Sequence, residues 1–156
     1  MTATATIDIG QTAPDFRLRG PGGQYVSLSE YRGKKHVVVV FFPLAFSPVC
    51  SHQLPDIQKE MPRFEALDAV VLGVSVDSHY ANEAFARSLG LSFPLLSDFD
   101  HATSQAWGML LPDRRYSARG LFVVDKQGRL AYRDVAPTPA QIPANAGVIA
   151  ALERLA

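Results

Sequence analysis

Cysteine is nearly missing from this chain: one residue, Cys50, in 156. An internal disulfide is therefore excluded, and with it the oxidised, disulfide-stapled secreted scaffold. A charge of dominant sign is missing too, since 15 Lys and Arg balance 15 Asp and Glu. No basic face asks for nucleic acid, and no acidic tail is present. No apolar run reaches the length of a membrane span, so no membrane association is expected. The N-terminal Met1-Thr2-Ala3-Thr4-Ala5-Thr6 lacks the charged and apolar parts of a signal peptide. Cytoplasmic residence is the resulting expectation. Internal repeats, low-complexity tracts and linkers are absent as well, so residues 1–156 read as one domain.

What is present is organised around Val37 to Cys50. Val37-Val38-Val39-Val40-Phe41-Phe42 is a continuous β-branched and aromatic run, the pattern of a strand buried on both faces. Pro43 ends it, because proline cannot donate to a sheet ladder. Past Ser47, Pro48 and Cys50, the apolar residues Leu54, Ile57, Met61, Phe64 and Leu67 recur at helical spacing. Cys50 is thus expected in the first turn of a helix, at a strand-to-helix turn.

The rest of the chain reads in order. Phe16 to Leu18 and Tyr25 to Leu28 flank Gly20-Pro21-Gly22-Gly23, an N-terminal hairpin. Ser29 to Gly33 is a brief helical turn closed by glycine. Val70 to Val76 is a second buried strand, Ala81 to Leu89 a helix stopped by Gly90, and Phe93 to Asp98 a short strand at an edge or with its proline at the start. His101 to Trp107 reads as a short helix and Leu111 to Ala118 as a polar loop. Gly120 to Asp125 and Arg129 to Val135 form a hairpin across Lys126-Gln127-Gly128. Pro137-Thr138-Pro139 breaks the chain before a last helix, Ala146 to Leu155.

This order predicts an α/β fold: a mixed central sheet flanked by helices, of thioredoxin-like type, with an N-terminal β-hairpin extension. A doubly wound nucleotide-binding sheet would want a glycine-rich turn after its first strand. Pro-Leu-Ala-Phe-Ser-Pro stands there instead.

At a helix start, unpaired backbone N–H groups and the helix dipole favour an anion, here a thiolate on Cys50. The plainer alternative for Cys50 is a small buried hydrophobe. Ser47 fits either a hydroxyl donor beside that sulfur or a helix N-cap. No metal is expected: Cys50-Ser51-His52 is too sparse for a site, and His36, His79 and His101 lack ligand spacing. Trp107 and the phenylalanines are most simply core, although Phe46 and Trp107 also suit a pocket wall.

Pro43-x-x-x-Ser47-x-x-Cys50 resembles the active-site pattern of the peroxiredoxins of the AhpC/TSA superfamily. Gly10-x-x-Ala13-Pro14-Asp15-Phe16-x-Leu18, Phe93-Pro94-Leu95-Leu96-Ser97-Asp98 and Ala118-Arg119-Gly120-x-Phe122-Val123-Val124-Asp125 extend the resemblance from Gly10 to about Tyr132. The pattern is most similar to the one-cysteine, alkyl hydroperoxide reductase E-like group. The resemblance implies a thiol peroxidase in which Cys50 attacks hydrogen peroxide, organic hydroperoxides and peroxynitrite, passing through a sulfenic acid, with no cofactor. It assigns Ser47 as donor, Arg119 as the cation beside the thiolate, and Pro43 as a shield against water. Phe46, Val49, Gln53 and Trp107 are the candidate pocket residues. Arg114 and Arg115 are weaker competitors of Arg119.

Two positions depart from the family pattern: serine at 47 where threonine is commoner, and glutamine at 53 where glutamate is frequent. With no second cysteine, the reductant must come from outside: a thioredoxin-, glutaredoxin- or mycoredoxin-like protein, or a low-molecular-weight thiol. A homodimer is also implied, with Leu44-Ala45-Phe46 at its interface. The competing readings are a redox sensor that relays Cys50 oxidation to a partner, and a holdase chaperone. A disulfide reductase would need a Cys-x-x-Cys pair, which this chain lacks.

Overall fold

The computed structural model describes residues 7–111 and 113–156. The Met1–Thr6 lead and Pro112, within the expected polar loop, lie outside the described residues. Seven strands form one mixed sheet. In chain order they are β1 (Arg17–Arg19), β2 (Tyr25–Ser27), β3 (His36–Phe41), β4 (Ala69–Ser75) and β5 (Leu95–Ser97), then, after a small separate ribbon, β8 (Gly120–Val124) and β9 (Leu130–Val135). The ribbon is β6 (Leu110–Leu111) with β7 (Tyr116–Ser117). Helices are α1 (Pro48–Lys59), α2 (Met61–Ala66), α3 (His79–Leu89), α4 (Ala102–Ala106) and α5 (Asn145–Leu155). The strand order across the sheet is β2-β1-β5-β4-β3-β8-β9.

β3 sits near the middle, parallel to β4 and antiparallel to β8, and all six of its residues are buried. Side chains alternate across a strand, so the valine run feeds two cores. Val38, Val40 and Phe42 join Leu54, Ile57, Phe64, Phe85, Val148 and Leu152, on the face covered by α1, α2, α3 and α5. Val37, Val39 and Phe41 join Ala13, Phe16, Leu28, Trp107 and Phe122 on the opposite face. The β1–β2 hairpin extends the same sheet, through the pairing of Arg19 with Ser97 on β5.

Two elements differ from the sequence expectation. The helix expected to run through Leu67 is broken at Glu60, where α1 ends and α2 begins. Pro62, in the first turn of α2, has no N–H to offer the preceding turn, which weakens the helix where Glu60 turns to φ −91°, ψ 0°, although α1 itself runs through Pro55. The polar stretch Leu111 to Ala118 contributes the β6–β7 ribbon, paired Leu110 with Ser117 and Leu111 with Tyr116. Strands of two residues carry no alternation to read.

The register fixes the working end of the sheet. Phe41, the last residue of β3, pairs with Gly120, the first of β8. Arg119 therefore lies beside the point where the chain leaves β3 for α1. Gly120 packs closely there: a Cβ at this position would stand 2.6 Å from the Met109 terminal methyl and 3.2 Å from the Phe122 ring. The Ser117 hydroxyl fastens the same junction, donating to the Phe42 carbonyl at 3.1 Å.

Candidate active site

The chain turns from β3 into α1 through Phe42 to Ser47. Ser47 is the N-cap residue, followed by Pro48, Val49 and Cys50 as the first three residues of α1. Proline suits the first helical position, since its missing N–H would have had no partner. The Ser47 carbonyl accepts from the Ser51 N–H at 3.0 Å and from the Ser51 hydroxyl at 2.9 Å. Its own hydroxyl neither caps the helix nor touches the sulfur; it donates back to the Leu44 carbonyl at 2.9 Å.

Cys50 is a free thiol with no exposed surface. Facing it is Arg119, only 2% exposed. The Arg119 Nη1 donates to Cys50 Sγ at 3.2 Å and to Gln53 Oε1 at 2.6 Å, and Nε donates to the Pro139 carbonyl at 2.9 Å. Cys50 and Gln53 are one helical turn apart, which puts both on the face of α1 that meets the arginine. Among the described residues no carboxylate pairs with Arg119, so its charge is held by a sulfur, an amide oxygen and a peptide carbonyl. A buried cation without a counter-ion is costly. Negative charge on Sγ would offset that cost, and the positive end of the α1 dipole favours such charge at the same place.

The Gln53 amide can stand only one way round. Arginine has no acceptor, so the oxygen must face it. This leaves the buried Nε2 of Gln53 with no hydrogen-bond partner among the described residues.

A pocket of about 250 Å³ opens beside this cluster, lined by Pro43, Leu44, Ser47, Val49, Tyr116, Arg119 and Pro139, among others. Of the candidate residues, Pro43, Ser47, Val49 and Arg119 line it, and Gln53 stands behind Arg119 rather than in the wall. Phe46 and Trp107 do not line the pocket. Phe46 points outward, 57% exposed, with its ring centroid 4.9 Å from that of Phe85. Trp107 is a core residue on the other face of the sheet, packed on Phe41 and Phe122 and donating from Nε1 to the Pro14 carbonyl at 3.1 Å. The residue after a short helix gave no sign of which face it would join. Arg114 and Arg115 are exposed, and Arg114 donates to the Tyr116 hydroxyl.

Tyr116, Pro139 and Ala140 are lining residues that sequence reasoning missed. Tyr116 was hidden in the stretch read as a loop, and Pro139 was visible only as a chain breaker. His52 is exposed, and among the described residues no group of three or more His, Cys, Asp or Glu could hold a metal.

A thioredoxin-like sheet that presents a lone cysteine on a helix N-terminus against a buried arginine has the makings of a thiol peroxidase. Comparison with known proteins gives the same answer. The AhpC/TSA family profile matches residues 9–133. Alkyl hydroperoxide reductase E of Mycobacterium tuberculosis is 40% identical over 131 residues, 83% of this chain and 86% of the relative. Peroxiredoxin Bcp of Bacillus subtilis is 37% identical over 80% of this chain and 83% of its own length. Among solved structures, Mycobacterium tuberculosis AhpC superposes with a TM-score of 0.86 at 28% identity, covering 97% of this chain and 94% of that one. Enterococcus faecalis AhpC gives 0.87 at 25% identity, over 94% and 91%. The chain belongs to the AhpC/TSA family, and it is a peroxiredoxin, an oxidoreductase of the thiol peroxidase class.

Proposed function

We propose that this peroxiredoxin reduces hydrogen peroxide and organic hydroperoxides, and peroxynitrite as well, at Cys50 by a one-cysteine cycle. The observation that carries the reading is the 3.2 Å contact from Arg119 Nη1 to Cys50 Sγ, at a helix N-terminus and beside a pocket. In the first half-reaction an electron pair on the thiolate forms a bond to one peroxide oxygen. The O–O bond breaks, its pair goes to the second oxygen, and that oxygen leaves as water or an alcohol after taking a proton, or within nitrite when the substrate is peroxynitrite. Sulfur is oxidised by two electrons to a sulfenic acid.

Arg119 stabilises the thiolate and donates to the peroxide as charge moves onto the leaving oxygen. Ser47 supplies a second donor by turning its hydroxyl from the Leu44 carbonyl toward the pocket. Pro43 and Val49 keep water from the sulfur. Gln53 holds the guanidinium in place.

The second half-reaction uses an external thiol, because no other cysteine exists in the chain. Its thiolate attacks the sulfenic sulfur, water leaves, and a mixed disulfide remains. A second thiol then releases Cys50 as a thiolate. A thioredoxin-, glutaredoxin- or mycoredoxin-like protein or a low-molecular-weight thiol fits this role, and the lone cysteine suits the reducing cytoplasm.

We assign the assembly as a homodimer. Leu44, Phe46, Tyr80 and Phe99 are exposed. They follow the C-terminal ends of β3, β4 and β5, which lie together at one end of the sheet. An apolar cluster of this kind marks a contact surface. The function is tested by turnover: saturable consumption of hydrogen peroxide with a generic dithiol, lost in Cys50→Ser, supports the cycle. Oxidation of Cys50 without turnover under any thiol would favour a relay instead.

A further inference from the structure

We infer that Asp77 is a positioning residue of the peroxidase site, clamping the loop that lines the pocket beside Cys50. The inference rests on the peroxidase reading above. Asp77 follows the C-terminal end of β4, and none of its atoms belongs to the Cys50–Arg119–Gln53 cluster. Its Oδ2 accepts from the Ala45 N–H at 2.8 Å, and from the Ser75 hydroxyl at 2.8 Å. Ala45 is the midpoint of the five residues from Pro43 to Ser47, the pocket-lining pair that the reading assigns as shield and donor.

That loop needs a clamp. Phe46 has φ of 66°, a left-handed conformation that a bulky side chain adopts only when its surroundings over-determine it. Two contacts hold it from outside: the Asp77–Ala45 hydrogen bond, and the Phe46 ring on Phe85 of α3. Inside the loop, the Ser47 hydroxyl and N–H both turn back to the Leu44 carbonyl. Releasing Ala45 frees this turn, and Ser47 and Pro43 lose the fixed place from which they line the pocket beside Cys50.

Asp77 is itself fixed by a buried polar chain. Asn82 of α3, with no exposed surface, donates from Nδ2 to the Ser75 hydroxyl oxygen at 3.0 Å and to the Leu96 carbonyl at 3.2 Å. The one Ser75 proton has Asp77 Oδ2 at 2.8 Å and Asn82 Oδ1 at 3.1 Å in reach, and the nearer, charged Asp77 carboxylate is the stronger acceptor. The Asp77 carbonyl accepts from the Ser97 hydroxyl at 2.6 Å. The chain therefore runs from α3 through Ser75 and Asp77 to Ala45, and each buried member has a use for each of its partners.

The test compares two reactions of Cys50 in Asp77→Ala, Asp77→Asn and wild-type protein. One is oxidation by hydrogen peroxide in stopped flow, which needs Ser47 and Pro43 correctly placed. The other is alkylation by iodoacetamide, which does not. Expected for Asp77→Ala is a peroxide rate constant about 10- to 100-fold lower with alkylation unchanged, the penalty of a misplaced site. Asparagine keeps an acceptor for Ala45 and should restore most of the loss. Ser75→Ala, a small change, should show the same sign at about threefold, and it decides the matter should Asp77→Ala not fold. Peroxide rates within twofold of wild type in both alanine variants would overturn the inference, as would peroxide and alkylation rates falling in parallel. A wild-type protein with no fast peroxide reaction would instead remove the peroxidase reading, leaving the clamp without a function.

Discussion

Arg119 and Cys50 are 69 residues apart in sequence, yet Nη1 of one lies 3.2 Å from Sγ of the other with no carboxylate between them. The β3–β8 register makes the meeting, and among the described residues the guanidinium is held by the sulfur, the Gln53 amide oxygen and the Pro139 carbonyl. Removing this donor should slow peroxide oxidation of Cys50 by about two to three orders of magnitude, the usual cost of losing a donor to developing charge. Arg119→Met is the variant and stopped flow the measurement. Arg119→Lys should recover little, because a point charge on a flexible stem cannot serve sulfur, amide and carbonyl together.

Ser47→Ala and Ser47→Thr separate hydroxyl chemistry from loop structure. Threonine keeps the donor and should stay within about threefold of wild type, whereas alanine should lose about ten- to a hundredfold in the peroxide step. Both variants also change the bond to the Leu44 carbonyl, so thermal unfolding should accompany the kinetics. Equal rates in the two variants would deny the hydroxyl a part in the reaction.

Gln53 carries two opposed terms. Its oxygen makes a charge-assisted bond with Arg119, about 1.5–3 kcal/mol, while its buried and unpartnered Nε2 costs about 1–3 kcal/mol. Gln53→Met should therefore change stability by less than about 1 kcal/mol, while the less firmly held guanidinium slows the peroxide step roughly tenfold. Chemical denaturation and stopped flow read the two quantities apart. A large loss of stability with no kinetic change would mean that the amide serves the fold alone.

The valine run made β3 legible, and the change from strand to helix periodicity put Cys50 in the first turn of α1. The β8–β9 hairpin and the N-terminal hairpin were equally plain, because each brackets a turn that carries glycine with an alternating strand. Arg119 was not legible from local pattern, since one arginine before a strand has no periodicity to mark it. Resemblance singled it out, and register explains it. Trp107 was ambiguous for a related reason: α4 is a single turn, too short for its apolar spacing to say which core it feeds. The break at Glu60 was masked by the apolar repeat running through it, and Pro62 alone did not mark it, since α1 runs through Pro55. Asp77 gave no signal at all, since a carboxylate at a strand end is most often solvated.

Trp107 lies on the face of the sheet away from Cys50, so Trp107→Phe should leave the peroxide rate within about twofold of wild type. It should lower stability by about 1–3 kcal/mol, through lost packing and the lost bond to the Pro14 carbonyl. Equilibrium unfolding and stopped-flow mass spectrometry check the pair. A slowed peroxide step with stability unchanged would return Trp107 to the pocket.

Asp68 provides the acid dependence. Hydrogen bonds from Lys126 and Lys35 hold its carboxyl down at about 2, from an ordinary 3.8. Above the ordinary value both folded and unfolded states are ionised, and the pairing contributes in full. As pH falls from there toward about 2, the unfolded chain takes up the proton first and the contribution drains away. Asp68→Asn should therefore lower the melting temperature at about pH 6 and leave little difference at about pH 2. The group is exposed, so high salt should shrink the difference as well. An equal gap at both pH values would contradict this assignment.

The most direct test mixes reduced protein with one equivalent of hydrogen peroxide, following the rate by Trp107 fluorescence or rapid quench and the product by intact mass. Expected is oxidation several orders of magnitude faster than that of a free thiol, with one oxygen gained at Cys50 and none in Cys50→Ser. Oxidation at the pace of an ordinary cysteine would contradict it. Arg119 and the α1 N-terminus would then hold the sulfur without activating the peroxide.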